Sequence, residues 1–93
     1  MPYEEEVGSF AALMRRLRVL DQDSGVRLVG GVGRQRFIVF VTRFGPKFTI
    51  MKYAMKKGGR TPGKRLLAVE AEVGMLERIL KELAPGRVRA WIY

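Results

Sequence analysis

Apolar positions near the start of the chain recur at helical spacing. They are Val7, Phe10, Leu13, Met14, Leu17 and Leu20. Acidic residues lie at the start of this segment and arginines lie near its end, which is the arrangement that the helix dipole favours. The pattern predicts an amphipathic helix from Tyr3 to Leu20.

A second apolar stripe with helical spacing precedes Ala84. Its members are Leu66, Val69, Val73, Leu76, Leu80 and Leu83. Thr61 and Pro62 suit an N-cap and the first helical position, and the Pro85-Gly86 pair stops a helix. The pattern therefore predicts a helix that begins near Pro62 and ends at Ala84. The segment from Leu66 to Glu72 also alternates between polar and apolar residues, so a strand followed by a shorter helix is the alternative.

Four segments have the alternation and the β-branched and aromatic residues of strands. They are Val26–Val29, Arg34–Phe44, Lys47–Met55 and Arg87–Tyr93. Gly30, Gly31 and Gly33 offer the positive φ angles of a hairpin, and the Gly45-Pro46 pair separates the next two strands. The chain is thus predicted to be one α+β domain over residues 1–93 with the order α-β-β-β-α-β. We expect an antiparallel sheet of about four strands with two helices packed on one face.

The Gly45-Pro46 turn determines which side chains share a face of the sheet. A turn of two or four residues gives one set of pairs, whereas three residues would exchange the faces of one strand. The pairs are Phe40 with Met51, Ile38 with Tyr53, and Arg36 with Met55. The face beneath the helices then carries Phe37, Val39, Val41, Phe48, Ile50 and Ala54, with Lys52 as an exception. The other face is predicted to carry Arg34, Arg36, Phe40, Tyr53, Arg87, Arg89 and Trp91.

Charge and aromatic content indicate what that second face binds. Between Ser24 and Val69 the chain has eleven Lys or Arg residues and no Asp or Glu, and its formal net charge is +9. Cations bind phosphates with release of counterions, and rings stack on unpaired bases, whereas duplex DNA hides its base faces. The face is therefore predicted to bind single-stranded DNA or RNA. The alternatives are a solvated basic surface over an aromatic core, and an aromatic face buried in a dimer interface.

A basic, glycine-rich loop from Lys56 to Lys64 precedes the second predicted helix. Its cations are predicted phosphate contacts, because such a loop follows a nucleic-acid backbone and a helix N-terminus favours phosphate. These residues are Lys56, Lys57, Arg60, Lys64 and Arg65. A solubilising loop is the alternative. Gly58 to Lys64 also has the Gly-x4-Gly-Lys spacing of a nucleotide-binding loop. Arg65 replaces the Ser or Thr that binds magnesium there, so we interpret the spacing as coincidence.

The absence of two residue types restricts the chemistry. The sequence has no Cys and no His, which excludes disulfides and thiolate zinc sites and removes the usual general base. Glu70 and Glu77 share a predicted helix face, a spacing more typical of solvated carboxylates than of a catalytic pair. We therefore expect no enzymatic activity, no cofactor and no bound metal.

Size and composition bear on assembly, habitat and location. A 93-residue domain has a small core, so a homodimer is expected. The chain lacks Asn and has more Arg than Lys, which fits a thermophilic protein. No signal peptide is recognisable, and the longest apolar run, Phe37 to Val41, is too short to span a bilayer. A cytoplasmic protein without membrane contacts is predicted.

The chain resembles the ThermoDBP-related proteins of hyperthermophilic archaea. The likeness rests on the small size, the order of helices and strands, the Arg34–Phe44 strand, the basic Lys56–Arg65 loop, and the terminal helix and strand. It covers most of the chain. The resemblance implies single-stranded DNA binding in a hydrophobic cleft rimmed by basic residues, and a dimeric assembly. By position, the cleft residues would be Phe40, Tyr53 and Trp91, and the rim residues Arg34, Arg36, Arg87 and Arg89.

The basic and aromatic face leads to three functional hypotheses. The first is a non-enzymatic, largely sequence-independent single-stranded DNA-binding protein that uses cationic attraction and aromatic stacking. The second is an RNA-binding module, such as a ribosome-associated or RNA-chaperone protein, which would prefer RNA at matched salt. The third is a homo-oligomeric interaction or transcription-regulatory protein with the aromatic face buried between subunits, which would prefer duplex DNA or bind no nucleic acid.

Overall fold

The computed structural model describes residues 5–20, 24–32, 35–55, 62–84 and 88–92 of the chain. These residues form an α+β fold in which an antiparallel sheet carries two α-helices. The strands are β1 (Glu5–Val7), β2 (Gly25–Val32), β3 (Gln35–Phe44), β4 (Lys47–Met55), β5 (Pro62–Glu72) and β6 (Val88–Ile92). The helices are α1 (Phe10–Arg18) and α2 (Leu76–Leu83), with a 3-10 turn (Val73–Met75) before α2. The spatial order of the strands is β1-β6-β2-β3-β4-β5.

The first helix is shorter than predicted, and a strand precedes it. Ser9 caps α1, because its side-chain oxygen accepts a hydrogen bond from the Ala12 backbone N–H at 3.1 Å. The residues before this cap include β1, which pairs with β6 and places Val7 opposite Ala90. The prediction of helix was therefore wrong for residues 5–9. The apolar stripe from Phe10 onward is confirmed, since its members on α1 are buried or half-buried.

Strand β5 replaces most of the second predicted helix. The pairs between β5 and β4 include Leu67 with Lys52, Val69 with Ile50, and Ala71 with Phe48. These pairings give hydrogen-bond partners to backbone groups of β4 that would have none if residues 62–72 were helical. Pairing with β4 therefore overrides the helical spacing of the sequence. The helix predicted from Pro62 to Ala84 was therefore wrong, and the alternative of a strand followed by a shorter helix is confirmed. Leu76 and Leu80 of the predicted stripe remain fully buried on α2.

The hairpin between β3 and β4 has the predicted register. Gly45 and Pro46 form its two-residue turn, and Gly45 takes a φ of 65°, which favours glycine. The pairs across the hairpin include Phe40 with Met51 and Ile38 with Tyr53. The predicted division of side chains between the two faces is therefore confirmed for residues 37–44 and 47–54, which this pairing covers.

Strand β2 is longer than predicted and contains two of the expected turn glycines. Gly30 and Gly31 lie inside it and pair with β3. The prediction that they supply positive φ angles was wrong, and among the described glycines only Gly45 has a positive φ. A Cβ atom on Gly31 would lie 3.0 Å from the carbonyl oxygen of Gln35, so glycine there permits the close approach of β3. Gly33 lies outside the described residues.

The core lies between one face of the sheet and the two helices. Leu13 and Leu17 of α1 and Leu76 and Leu80 of α2 pack there against apolar strand residues. The strand residues are Val26, Leu28, Phe37, Val39, Val41, Phe48, Ile50, Ala71 and Ala90. The sheet has six strands rather than four, because β1 and β5 extend its two edges. Within the described ranges, no helix combines the length and apolar character that crossing a bilayer requires.

Candidate nucleic-acid interface

The sheet face opposite the helices, called the open face from here on, carries the predicted binding residues. Side chains alternate between the two faces along each strand, so the neighbours of core residues belong to the open face. On β2, for example, Val26 and Leu28 are buried in the core, whereas Arg27 and Val29 lie on the open face. On the four central strands this face is lined by Arg27, Val29, Arg36, Ile38, Phe40, Thr42, Thr49, Met51, Tyr53, Arg89 and Trp91. None of these residues is acidic.

Rings and a cation alternate across one row of the open face. Directly paired residues of an antiparallel sheet have Cβ atoms about 4.5–5.5 Å apart, so the members of a row are immediate neighbours. In spatial order the row is Glu6, Trp91, Arg27, Phe40, Met51 and Ala68. Its four central members present an indole, a guanidinium, a phenyl ring and a thioether in succession. Glu6 ends the row on β1, and Ala68 ends it on β5.

Tyr53 completes a small aromatic cluster beside this row. Its ring meets the Phe40 ring edge to face, with centroids 5.8 Å apart and an interplanar angle of 77°. Its hydroxyl lies 3.5 Å from the Met51 sulfur. Ile38, directly opposite Tyr53, is only 4% exposed although it does not belong to the core under the helices. Phe40, Met51 and Tyr53 are half-buried, so the cluster presents apolar ring surface to solvent.

Two guanidinium groups lie over the indole ring of Trp91. The Cζ atoms of Arg27 and Arg89 are 4.8 Å and 5.1 Å from the ring centroid. These cation–π contacts hold positive charge beside the ring. A base that stacks on the indole must therefore share the ring with a guanidinium or displace it.

Arg89 also forms a bidentate ion pair with Glu6 of β1. Its Nε donates to Oε1 of Glu6 at 3.0 Å, and its Nη2 donates to Oε2 at 2.9 Å. These hydrogen bonds lower the pKa of the Glu6 carboxyl and raise the pKa of the Arg89 guanidinium. A carboxylate and a phosphate accept the same pair of N–H groups from arginine. Glu6 therefore occupies the position that a phosphate would take at Arg89.

The structure brings together most of the predicted binding residues that it describes. Those on the open face are Arg36, Phe40, Tyr53, Arg65, Arg89 and Trp91, with Arg65 placed there by its pairing with Tyr53. Lys64 is exposed beside Arg65. The predicted helix N-terminus at this pair was wrong, because β5 continues to Glu72. The predicted residues outside the described ranges are Arg34, Lys56, Lys57, Arg60 and Arg87.

Two charged groups of this face were missing from the sequence prediction. The alternation of Val26, Arg27 and Leu28 is sufficient to place Arg27 on the open face. Glu6 has no such local signal, because its position depends on the pairing of β1 with β6 from a distant part of the chain. Lys52 is the predicted exception on the helix side, where its Nζ lies 4.5 Å from the centroid of the Phe37 ring.

A shallow hollow lies on the open face toward the β3–β4 turn. It has a volume of about 220 Å³ and is lined by Phe40, Thr42, Phe44, Thr49 and Met51. Phe44 is strongly exposed, so one wall of the hollow is apolar and accessible to solvent. The hollow thus extends the apolar contact area beyond the pair of Phe40 and Tyr53.

Comparisons of the chain with protein-family models, curated proteins and solved structures gave no match. The resemblance to ThermoDBP-related proteins therefore stays a prediction. Within the part of the chain that the structure describes, no three acidic side chains are grouped to hold a metal ion. The functional interpretation therefore rests on the open face itself, on its rings, its cations and the acidic residues at its two edges.

Proposed function

We propose that this protein binds single-stranded DNA in the cytoplasm through the open face, without enzymatic activity and largely independently of base sequence. The observation that carries the proposal is the row of Trp91, Arg27, Phe40 and Met51, with Tyr53 packed beside it. Flat side chains stack on every base, and the cations between them attract the phosphates. These two contributions give affinity without reading base edges.

The distribution of acidic residues favours a path over the central strands. Glu6 lies at the β1 edge of the open face, and Glu70 and Glu72 lie at its β5 edge. Carboxylates repel phosphates, whereas Arg27 and Arg36 lie between these edges on strands β2 and β3. We therefore expect the backbone of a bound strand to lie over β6, β2, β3 and β4.

A single strand suits the open face better than a duplex. In a duplex the bases stack on each other, and only their edges are accessible in the grooves. The half-buried rings of Phe40 and Tyr53 then contact no base face, and the apolar cluster has no stacking partners. A single strand can splay its bases onto these rings.

The test is a fluorescence-anisotropy competition among single-stranded DNA, RNA of matched sequence and duplex DNA over a salt series. Trp91 is the only tryptophan, so its emission reports contact with the open face directly. We expect preference for single-stranded DNA together with quenching of Trp91. Equal or stronger RNA binding would support the RNA-binding hypothesis. Duplex preference, or no binding at all, would contradict the proposal and support an oligomeric interaction or regulatory protein.

A matched pair of arginine variants locates the binding face. Arg27→Gln removes a cation from the open face, and we expect the salt slope of binding to become shallower by about 0.7 for each phosphate that is no longer neutralised. Arg18→Gln removes an exposed cation from α1 on the helix side, so it should leave the slope unchanged. Equal effects of the two substitutions would show that only the net charge matters.

A further inference from the structure

The two edges of the sheet differ in how they are protected. At one edge, β1 has only three residues and carries the ion pair between Glu6 and Arg89. At the other edge, β5 has eleven residues and pairs only with β4 among the described strands. A long edge strand presents a row of backbone N–H and C=O groups that another strand can pair with. The β5 edge is therefore the side where the sheet can be extended.

Exposed apolar side chains are concentrated along this edge. The exposed large apolar residues of the described chain are Val19, Phe44, Leu66, Val69, Val73 and Met75, and the last four lie on β5 or the turn that follows it. Leu66 is 52% exposed and has no directly opposite residue in β4, because the register shifts beside it. Val69 is 38% exposed. Such a concentration on one edge marks an interaction surface rather than scattered surface residues.

The charges of β5 are complementary to those of a second β5 in the antiparallel direction. Lys64 and Arg65 lie near its start, and Glu70 and Glu72 lie at its end. Two copies related by a two-fold axis place the basic end of each strand beside the acidic end of the other. Opposite charges that face each other across strands stabilise their pairing, whereas like charges oppose it.

We propose that β5 pairs with β5 of a second copy of this chain, antiparallel and about a two-fold axis that passes through Ala68. In this register Leu67 lies opposite Val69 of the second copy on the helix side, and Arg65 lies next to Glu70 of the second copy. Arg65 and Glu70 both lie on the open face, since they pair with Tyr53 and Thr49 of β4. The two-fold symmetry repeats each contact, giving two ion pairs and two apolar contacts at the centre.

This pairing gives the homodimer expected from the chain size a defined interface. The dimer forms independently of nucleic-acid binding. Because the axis is perpendicular to the sheet, the open faces of the two copies lie side by side on one continuous sheet. If the proposed function also holds, the dimer presents two binding faces on the same side of one sheet, separated by the two β5 strands.

The experiment is light scattering coupled to size-exclusion chromatography, without nucleic acid, on the wild type and on charge-reversal variants. We expect a dimer for the wild type, monomers for Arg65→Glu and for Glu70→Arg, and a dimer again when both substitutions are combined in one chain. Arg18→Glu applies the same charge change on the helix side and should remain dimeric. Circular dichroism on each sample establishes that the variants are folded.

Each outcome bears on the β5 edge or on its register. A monomeric wild type at high protein concentration would overturn the proposal, and so would single variants that stay dimeric. Failure of the double variant to restore the dimer would overturn the proposed register. If a charge-reversal variant does not fold, Val69→Gln provides a neutral substitution at an exposed apolar position of the interface. A folded Val69→Gln variant with an undiminished dimer would also count against the β5 interface.

Discussion

Replacing Glu6 by Gln tests whether a carboxylate of the protein competes with DNA for Arg89. In the wild type, two N–H groups of Arg89 donate to the two carboxylate oxygens of Glu6. The substitution removes the charge and one of the two acceptor oxygens suited to a bidentate contact, while leaving a side chain of similar size. Arg89 then becomes available for a phosphate. We expect Glu6→Gln to bind single-stranded DNA more tightly than the wild type at low salt.

The size of the effect follows from the number of phosphates that one arginine can neutralise. Each phosphate contact on a single strand steepens the dependence of log K on log salt by about 0.7. Freeing Arg89 adds one such contact. Over a fourfold increase in salt, the affinity of the variant should therefore fall about 2.6-fold more than that of the wild type.

The assay is anisotropy with a labelled oligonucleotide at several salt concentrations near neutral pH. Glu82→Gln, an exposed acid on α2, is the control because it changes the net charge equally on the helix side. Combining Glu6→Gln with Arg89→Gln should return the slope to that of the wild type. If Glu6→Gln and Glu82→Gln have the same dependence of log K on log salt, Glu6 does not compete with DNA for Arg89. If the steeper salt dependence of Glu6→Gln persists when Arg89→Gln is added, the extra phosphate contact belongs to another cation.

Three further predictions address the open face, the ion pair and the core. Tyr53→Ala should weaken single-strand binding by about 1–3 kcal/mol in the same assay, and unchanged affinity would contradict stacking on the cluster with Phe40. The Glu6 carboxyl should titrate by NMR below the ordinary glutamate pKa, and Arg89→Gln should raise its pKa. Any stabilisation from this pair is then present above the ordinary pKa and lost as pH falls through the lowered one. Leu80→Ala on α2 should lower the free energy of unfolding by about 2–5 kcal/mol in urea, because Leu80 is fully buried.

Local signals in the sequence were sufficient where neighbouring residues determine the geometry. The Gly45-Pro46 turn fixes the hairpin register, and strict alternation places Arg89 and Trp91 on the open face of β6. Segment Leu66–Glu72 fits both the helical and the strand period. Its strand form depends on pairing with β4, which no local pattern contains.

Contacts between distant parts of the chain account for the remaining differences. Strand β1 forms because β6 offers it an edge, and the Glu6 ion pair exists only through that pairing. An amphipathic spacing that begins at Val7 cannot distinguish this short strand from the first turn of a helix. Arg27 is different, because alternation within β2 is sufficient to assign it to the open face. Its place between Trp91 and Phe40 requires the strand order as well.

The position of β6 in the sheet has a consequence for how the molecule acquires its structure. Strands β2 to β5 follow one another in both sequence and space, so their contacts close short loops. Strand β6 comes after α2 in the chain but lies between β1 and β2, so its pairing with β2 bridges a long sequence separation, and we expect it to insert late. In that order of events, the open face gains its tryptophan with the insertion of β6. The fluorescence of Trp91 in refolding experiments would time the completion of the sheet.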